Sequence, residues 1–161
     1  TPHPYAHALR ANKQHLITLS SDELLSKWGV SSADRACLSG SIPATQRVTR
    51  EHADALWAQR KQLFFKPVSG YASKAAYRGD KLTRTTFEHI LAHRYVAQTL
   101  APTSFRRIQS TDGAEADLRV DVRNYALHGA TWLRAARLYR GQTTNFRTTG
   151  GGFAPVLTLP A

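Results

Sequence analysis

The chain has 161 residues and a formal net charge of +11 at pH 7, from 22 Lys and Arg against 11 Asp and Glu. Its hydrophobic content of 42% is typical of a soluble globular protein, and no run of residues is apolar enough to predict a membrane span. The single cysteine, Cys37, excludes an internal disulfide framework. We therefore expect a cytoplasmic protein. Because no methionine occurs, even at position 1, we also expect a fragment or a processed form of a longer protein.

The first part of the chain predicts helices separated by loops. Leucines at helical spacing predict a helix over 8–19, and a serine cap predicts a helical turn over 22–28. Small and polar residues predict a loop over 31–41. Thr49 is a predicted N-cap for a helix over 50–59 that carries an apolar stripe.

The middle of the chain predicts a strand over 62–66 that ends in a lysine and runs into a loop of small residues. Because the next residue is a proline, Lys66 is expected at a strand end, where a ligand can reach it. Backbone N–H groups of a loop with little side-chain bulk can approach an anion closely. A lysine before a turn is more often a solvated surface residue. The chain continues with a short extended segment over 75–77, a helix over 85–92 and a strand over 95–100.

The last part predicts a β-hairpin. Strands over 117–126 and 131–139 are joined at His128-Gly129. In the first strand, apolar residues alternate with charged ones, so the charged face either lines a cleft or forms ordinary cross-strand ion pairs. A glycine- and threonine-rich loop is predicted over 140–152.

Two arginines in the second hairpin strand, Arg134 and Arg137, fall on opposite faces. At least one of them is therefore predicted to point inward, where it needs an anion or a carboxylate.

Taken in chain order, these segments resemble the ATP-grasp family of ligases, in its circularly permuted type. The segments that carry the resemblance are Asn12-Lys13, Ile42-Pro43-Ala44-Thr45, Phe64-Phe65-Lys66-Pro67, Tyr95-Val96-Ala97-Gln98-Thr99-Leu100, Asp117-Leu118-Arg119-Val120, Arg137, Thr143-Thr144-Asn145-Phe146 and Gly150-Gly151-Gly152. The chain departs from the usual pattern because no Glu-x-Asn follows Gly152.

The resemblance implies an α+β fold with an ATP-grasp-like lid and core, antiparallel strands and flanking helices. Residues 1–60 would form an initial helical segment, 61–101 the lid subdomain and 102–161 part of the core. The implied activity is that of an ATP-dependent carboxylate–amine ligase that forms an acylphosphate intermediate and uses ATP and Mg²⁺. Its partners would be a nucleotide, a carboxylate and an amine, and either the missing part of the same protein or a second chain.

The resemblance also implies roles for individual residues. Arg119 and Arg137 would hold the transferring phosphoryl group, and Asn145 would orient a phosphate or a metal-bound water. Asp117 and Asp121 would bind Mg²⁺. The residues implied in ATP binding are Lys66, Ser69, Gly70, Tyr71, Lys74, Gln98, Thr99 and Leu100.

Two other functions remain open at this point. One is an inactive nucleotide-binding module, since a fold does not establish a reaction. The other is a basic nucleic-acid-binding domain, although the positive charge is spread along the whole chain and no Cys/His finger or RNP-type aromatic pair accompanies it. His89 and His93 have the spacing of a zinc pair, but without a third ligand an exposed helix face is favoured.

Overall fold

The computed structural model describes residues 4–70, 74–109, 113, 115–141, 146 and 150–157. Within these residues the chain forms six α-helices and two four-stranded antiparallel sheets, which confirms the α+β class expected from the sequence. It divides into two compact units, residues 1–101 and residues 102–161.

The bounds of the elements follow the chain. The helices are α1 (Pro4–Arg10), α2 (His15–Leu19), α3 (Asp22–Lys27), α4 (Ser32–Ser41), α5 (Ala53–Gln59) and α6 (Arg84–Ala92), with short 3₁₀ turns at Arg60–Gln62 and Gly79–Lys81. The strands are β1 (Thr45–Arg47), β2 (Leu63–Pro67), β3 (Tyr77–Arg78), β4 (Tyr95–Thr99), β5 (Ser104–Gln109), β6 (Glu115–Leu127), β7 (Ala130–Tyr139) and β8 (Gly152–Pro155).

The first unit is built on a sheet with the strand order β1-β4-β2-β3. β4 lies between β1 and β2, and four of its five residues are buried. One face of this sheet packs against α5 and α6 to form the core, in which Phe65, Ile90 and Ala97 are fully excluded from solvent. Because successive side chains of a strand point to opposite faces, Lys66 and Gln98 lie on the other face.

Helix α6 covers the core with two apolar side chains, and its first turn is fixed by an N-cap. Its N-cap Thr83 accepts a hydrogen bond from the backbone N–H of Thr86 at 3.2 Å, which satisfies a free donor of the first turn. Phe87 and Ile90, three residues apart, then face the sheet. The Phe87 ring packs edge-on against Phe65, with a centroid distance of 5.9 Å.

Gly79 lies tightly against neighbouring backbone in the first unit. A Cβ atom at this position would lie 1.9 Å from the carbonyl oxygen of Arg60 and 2.9 Å from that of Leu63. Because only glycine fits against these two backbone atoms, Gly79 brings the two 3₁₀ turns together beside β2.

The structure corrects three expectations in the N-terminal part. The helix expected over 8–19 is two helices, α1 and α2. The loop expected over 31–41 is helix α4, which begins because the Ser31 hydroxyl accepts from the Asp34 N–H at 3.1 Å and donates to the Asp34 carboxylate at 2.7 Å. Helix α5 begins at Ala53 rather than at residue 50, and the Thr49 hydroxyl contacts the His52 ring instead of capping a backbone N–H.

The second unit is a sheet with the strand order β5-β6-β7-β8. The predicted hairpin is confirmed as β6 and β7, joined by a turn in which His128 and Gly129 both have positive φ, at 50° and 79°. β5 and β8 complete the sheet and lie outside the elements predicted from the sequence. Of the apolar residues expected on one face of β6, Leu118 is fully buried but Val122 is 55% exposed.

Candidate functional site

Lys66 lies on the face of the first sheet that points away from α5 and α6. In the antiparallel register Lys66 pairs with Val96, and Gln98 pairs with Phe64, two residues before Lys66, so Lys66 and Gln98 are diagonal neighbours on the same face. Its Nζ donates a hydrogen bond of 2.6 Å to Oε1 of Gln98. Burial is the larger cause that lowers the pKa of Lys66 below its usual value of 10.5, and the positive charge of Lys13 lowers it further.

Gln98 is a buried polar residue whose side chain is fully engaged. Its Nε2 donates to Oγ1 of Thr45 at 2.9 Å and to the carbonyl oxygen of Pro43 at 3.4 Å. Thr45 is buried as well, and its hydroxyl donates to the same Pro43 oxygen at 2.9 Å. These bonds join β1, β2 and β4 at one place on the sheet.

Lys13 lies beside this network and connects the N-terminal segment to the loop after β2. Its backbone N–H donates to the carbonyl oxygen of Val68 at 3.0 Å, and its Nζ donates to that of Gly70, also at 3.0 Å. In the part of the chain that the structure describes, neither Lys13 nor Lys66 forms an ion pair with a carboxylate. The positive charge of Lys13 acts on Lys66 and no carboxylate among the described residues balances either charge, so this part of the first unit attracts an anion.

The loop residues expected to hold phosphate are partly described. Ser69 and Gly70 are exposed at the end of β2, and Gly70 has a φ of 136°, a conformation that side chains other than hydrogen rarely allow. Tyr71 lies outside the described residues. Lys74 is exposed.

Thr99 and Leu100 were expected to present backbone groups to adenine. The N–H of Thr99 donates to the carbonyl oxygen of Ala44, and that of Leu100 donates to the carbonyl oxygen of Gln62, both at 2.8 Å. A ligand that used either donor would therefore have to displace a bond within the sheet.

In the second unit, four of the predicted catalytic and metal-binding residues already have partners within the unit. Arg137 donates to both carboxylate oxygens of Asp121, at 2.5 and 2.9 Å, so this half-buried arginine has a carboxylate partner on the charged face of β6. Asp117 accepts from Arg107 at 3.2 Å, and this hydrogen bond raises the pKa of the Arg107 guanidinium. The guanidinium of Arg119 lies over the Phe105 ring, 4.8 Å from its centroid.

The residues that the resemblance implies as metal ligands are not free to bind a metal ion in the part of the chain that the structure describes. Asp117 and Asp121 are each held by an arginine, and Asn145 lies outside the described residues. Across the described ranges, no group of three or more His, Cys, Asp and Glu is arranged to hold a metal ion.

A pocket of about 320 Å³ opens at the C-terminal end of β2. The residues that line it are Pro67, Val68, Ser69, His89, His93, Arg94 and Tyr95. The two histidine rings are 4.1 Å apart between centroids, and Nδ1 of His93 donates to the carbonyl oxygen of His89 at 2.7 Å. Both histidines are exposed, as expected for a solvated helix face.

Lys13 and Thr45, which lie in the candidate site with Lys66 and Gln98, were not singled out as site residues from the sequence. Each belongs to a segment that carries the resemblance, but their contacts with Gly70 and Gln98 join residues 57 and 53 positions apart. No local pattern encodes contacts of that span. Thr45 is buried on the same face of the sheet as Gln98, which the sequence of a three-residue strand does not specify.

Comparison with known proteins adds no relative to this geometry. No protein-family model, no curated protein and no solved structure matches the chain. Within the described residues, none of the helices combines the length and the apolar character needed to cross a bilayer.

Proposed function

We propose that the chain is an ATP-dependent carboxylate–amine ligase-type domain whose first unit binds the phosphate groups of a nucleoside triphosphate at Lys13 and Lys66. The observation that carries this proposal is the half-buried ammonium of Lys66, which is hydrogen-bonded to a neutral amide oxygen and has no carboxylate partner among the described residues. Surface lysines are usually dispersed and fully hydrated, whereas Lys66 is half-buried and fixed by a hydrogen bond.

The proposed reaction has two steps. A carboxylate oxygen attacks the γ-phosphorus of ATP, the bond from that phosphorus to the bridging oxygen breaks, and ADP leaves while an acylphosphate forms. An amine nitrogen then attacks the acyl carbon, the carbon–oxygen bond to phosphate breaks, and phosphate and a proton are released with the amide. Lys13 and Lys66 would stabilise the phosphate charge in the first step because fixed cations in a partly desolvated position need little reorganisation.

In the second unit, Arg119 is a predicted phosphoryl-binding arginine with no carboxylate partner among the described residues. Its guanidinium lies over the ring of Phe105, so its hydrogen-bond donors are available to an anion. Mg²⁺ would enter with the nucleotide, coordinated by phosphate oxygens. We assign it no ligand from the chain, because both candidate aspartates are bonded to arginines.

A nucleotide-binding module without ligase activity is the second candidate. One observation favours it: Arg137, a predicted catalytic residue, is held by both oxygens of Asp121. An arginine in a two-bond ion pair has to leave its carboxylate before it can hold a phosphoryl group.

Isothermal titration calorimetry with Mg-ATP tests the proposed site. The variants are Lys66→Ala and, as a control that removes the same charge at an exposed position, Lys61→Ala. We expect Lys66→Ala to weaken ATP binding roughly tenfold or more, since a hydrogen bond to a charged group contributes about 1.5–3 kcal/mol. Lys61→Ala should bind as the parent chain does, and binding should persist in high salt.

Two further measurements separate the candidates. A random-sequence duplex DNA is titrated in parallel, and tight, salt-sensitive DNA binding without ATP binding would replace the ligase with a basic nucleic-acid-binding domain. ADP release is then assayed with mixtures of carboxylic acids and hydroxylamine, which traps an acylphosphate as a hydroxamate. ATP binding without carboxylate-dependent ADP release favours the binding module.

A further inference from the structure

The acceptor that holds Lys66 carries no charge. Oε1 of Gln98 lies 2.6 Å from the ammonium nitrogen. A carboxylate there would form an ion pair and cancel the positive charge, whereas an amide oxygen satisfies a donor and leaves the charge in place. The ammonium is therefore held in a fixed direction without being neutralised.

The orientation of the Gln98 amide is set from the opposite side. Its Nε2 meets two oxygens, Oγ1 of Thr45 at 2.9 Å and the Pro43 carbonyl at 3.4 Å. The Thr45 hydroxyl in turn donates to the Pro43 carbonyl, so each hydrogen bond in the series from Lys66 through Gln98 and Thr45 to Pro43 joins a donor to an acceptor. With the amide reversed, its NH₂ group would face an ammonium that can only donate.

Thr45 is itself held in place. Its backbone N–H donates to the Ser20 hydroxyl at 3.1 Å, and its side chain is excluded from solvent. A buried side chain fixed at both its backbone and its hydroxyl can transmit an orientation to the group that it contacts.

We propose that Thr45 and Gln98 are positioning residues for Lys66. They fix the direction of its ammonium group and leave its positive charge without an anionic partner, so that the ammonium can bind a phosphate group. Neither residue needs to touch the ligand. The role of the pair is to orient the ammonium and to keep a negative charge away from it. The identification of the anion as phosphate rests on the proposed function, but the effect on Lys66 itself does not.

The test uses three substitutions and one matched control. Gln98→Glu keeps the shape and adds a carboxylate beside Lys66. Thr45→Val removes the hydroxyl with little change in volume, and Thr45→Ser restores it. The control, Gln46→Glu, adds the same charge at an exposed position of β1 whose side chain lies on the opposite face of the sheet from that of Thr45.

Two quantities are measured on the full chain, the pKa of Lys66 by NMR of labelled lysine side chains and the affinity for Mg-ATP and for tripolyphosphate. We expect Gln98→Glu to raise the pKa of Lys66 and to weaken both ligands about tenfold, because an anionic partner stabilises the ammonium and competes with phosphate. Thr45→Val should weaken both ligands roughly threefold, in the range of one neutral hydrogen bond, and Thr45→Ser should rescue the loss. Gln46→Glu should change neither quantity.

Each outcome bears on the inference. If Gln98→Glu leaves the pKa of Lys66 unchanged, or if Gln46→Glu raises it equally, the inference is wrong. It is also wrong if Thr45→Ser fails to restore what Thr45→Val loses. If Thr45→Val does not fold, Gln98→Glu decides alone.

Failure of the proposed function would give a different result, because the parent chain would then bind neither ligand while the pKa of Lys66 still responded to Gln98→Glu. Binding of tripolyphosphate as tight as that of Mg-ATP would identify the phosphate chain, rather than the nucleoside, as what is recognised.

Discussion

The candidate site residues of the two units include basic side chains with different kinds of partner. In the first unit, Lys13 and Lys66 are bonded to neutral oxygens and, among the described residues, to no carboxylate. In the second unit, Arg107 and Arg137 are each paired with an aspartate. A cation with a carboxylate partner is explained by the fold, whereas a half-buried cation with only neutral partners calls for an external anion. The difference shows that basic residues have to be sorted by partner before they are counted as a binding surface.

The units also differ in how tightly they are packed. The first has a core of aliphatic and aromatic side chains under two helices, with Phe65, Phe87 and Ile90 almost completely buried. The described part of the second unit leaves large apolar side chains of its hairpin exposed, Trp132 by 73% and Leu133 by 55%. Substitutions should therefore affect stability most in the first unit.

Gly79→Ala should have the largest effect. The new Cβ would clash with the backbone of Arg60 at 1.9 Å, and backbone cannot move aside as a flexible side chain can. We expect a loss of about 3 kcal/mol or more in the free energy of unfolding, measured with urea. The matched control is Gly40→Ala, in helix α4 with nothing within 4 Å of the added atom, which should stabilise by about 0.5–1 kcal/mol. Equal effects at both glycines would contradict the close-packed view of the first unit.

Asp121→Asn should have an intermediate effect. It would give Arg137, like Lys66, a neutral amide oxygen in place of a carboxylate. It leaves the half-buried Arg137 without its carboxylate, at a cost of about 1–2 kcal/mol in the free energy of unfolding. Asp117→Asn breaks an exposed pair and should change the free energy of unfolding little. With Arg137 released, tripolyphosphate binding should increase in Asp121→Asn alone. No gain in anion binding would show that a partnerless cation is not by itself enough to make an anion site.

The pH dependence of Lys66 should be the smallest effect. Because its pKa is lowered in the folded state, the unfolded chain binds more protons between that lowered value and 10.5. Stability contributed by this group should therefore rise with pH in that window, while affinity for phosphate falls as the ammonium loses its proton. The difference between the parent chain and Lys66→Gln isolates the group from other lysines and tyrosines. A difference in stability that does not change with pH would show that burial leaves Lys66 unperturbed.

Much of the fold follows from local signals in the sequence. Strand β2, helix α6, strand β4 and the hairpin of β6 and β7 were predicted because caps, periodicity and an His128-Gly129 turn lie within each element. Helix α4 was missed because its small and polar residues bury no apolar face. Strand β5 was missed for a related reason, since none of its residues is fully buried and its alternation is weak.

The candidate site was predictable only in part. Lys66 was found because a strand end and a small-residue loop are adjacent in the sequence. Its relation to Gln98 and Lys13 depends on strand order and on pairing across 32 and more residues, which local patterns do not specify. The ion pairs of Asp117 and Asp121 depend on cross-strand register in the same way.

The hydrogen bond between Thr45 and Gln98 also has a consequence for the order of folding. It joins residues 53 positions apart, and the bond from Gln98 to Lys66 spans a further 32. Contacts between residues so far apart in sequence form only after β1, β2 and β4 have assembled. Closing a long loop loses conformational entropy before the contacts that it allows can stabilise the chain. A nascent or partly unfolded chain therefore carries Lys66 as an ordinary hydrated lysine, and any anion selective for the finished site draws the chain toward its native state by mass action.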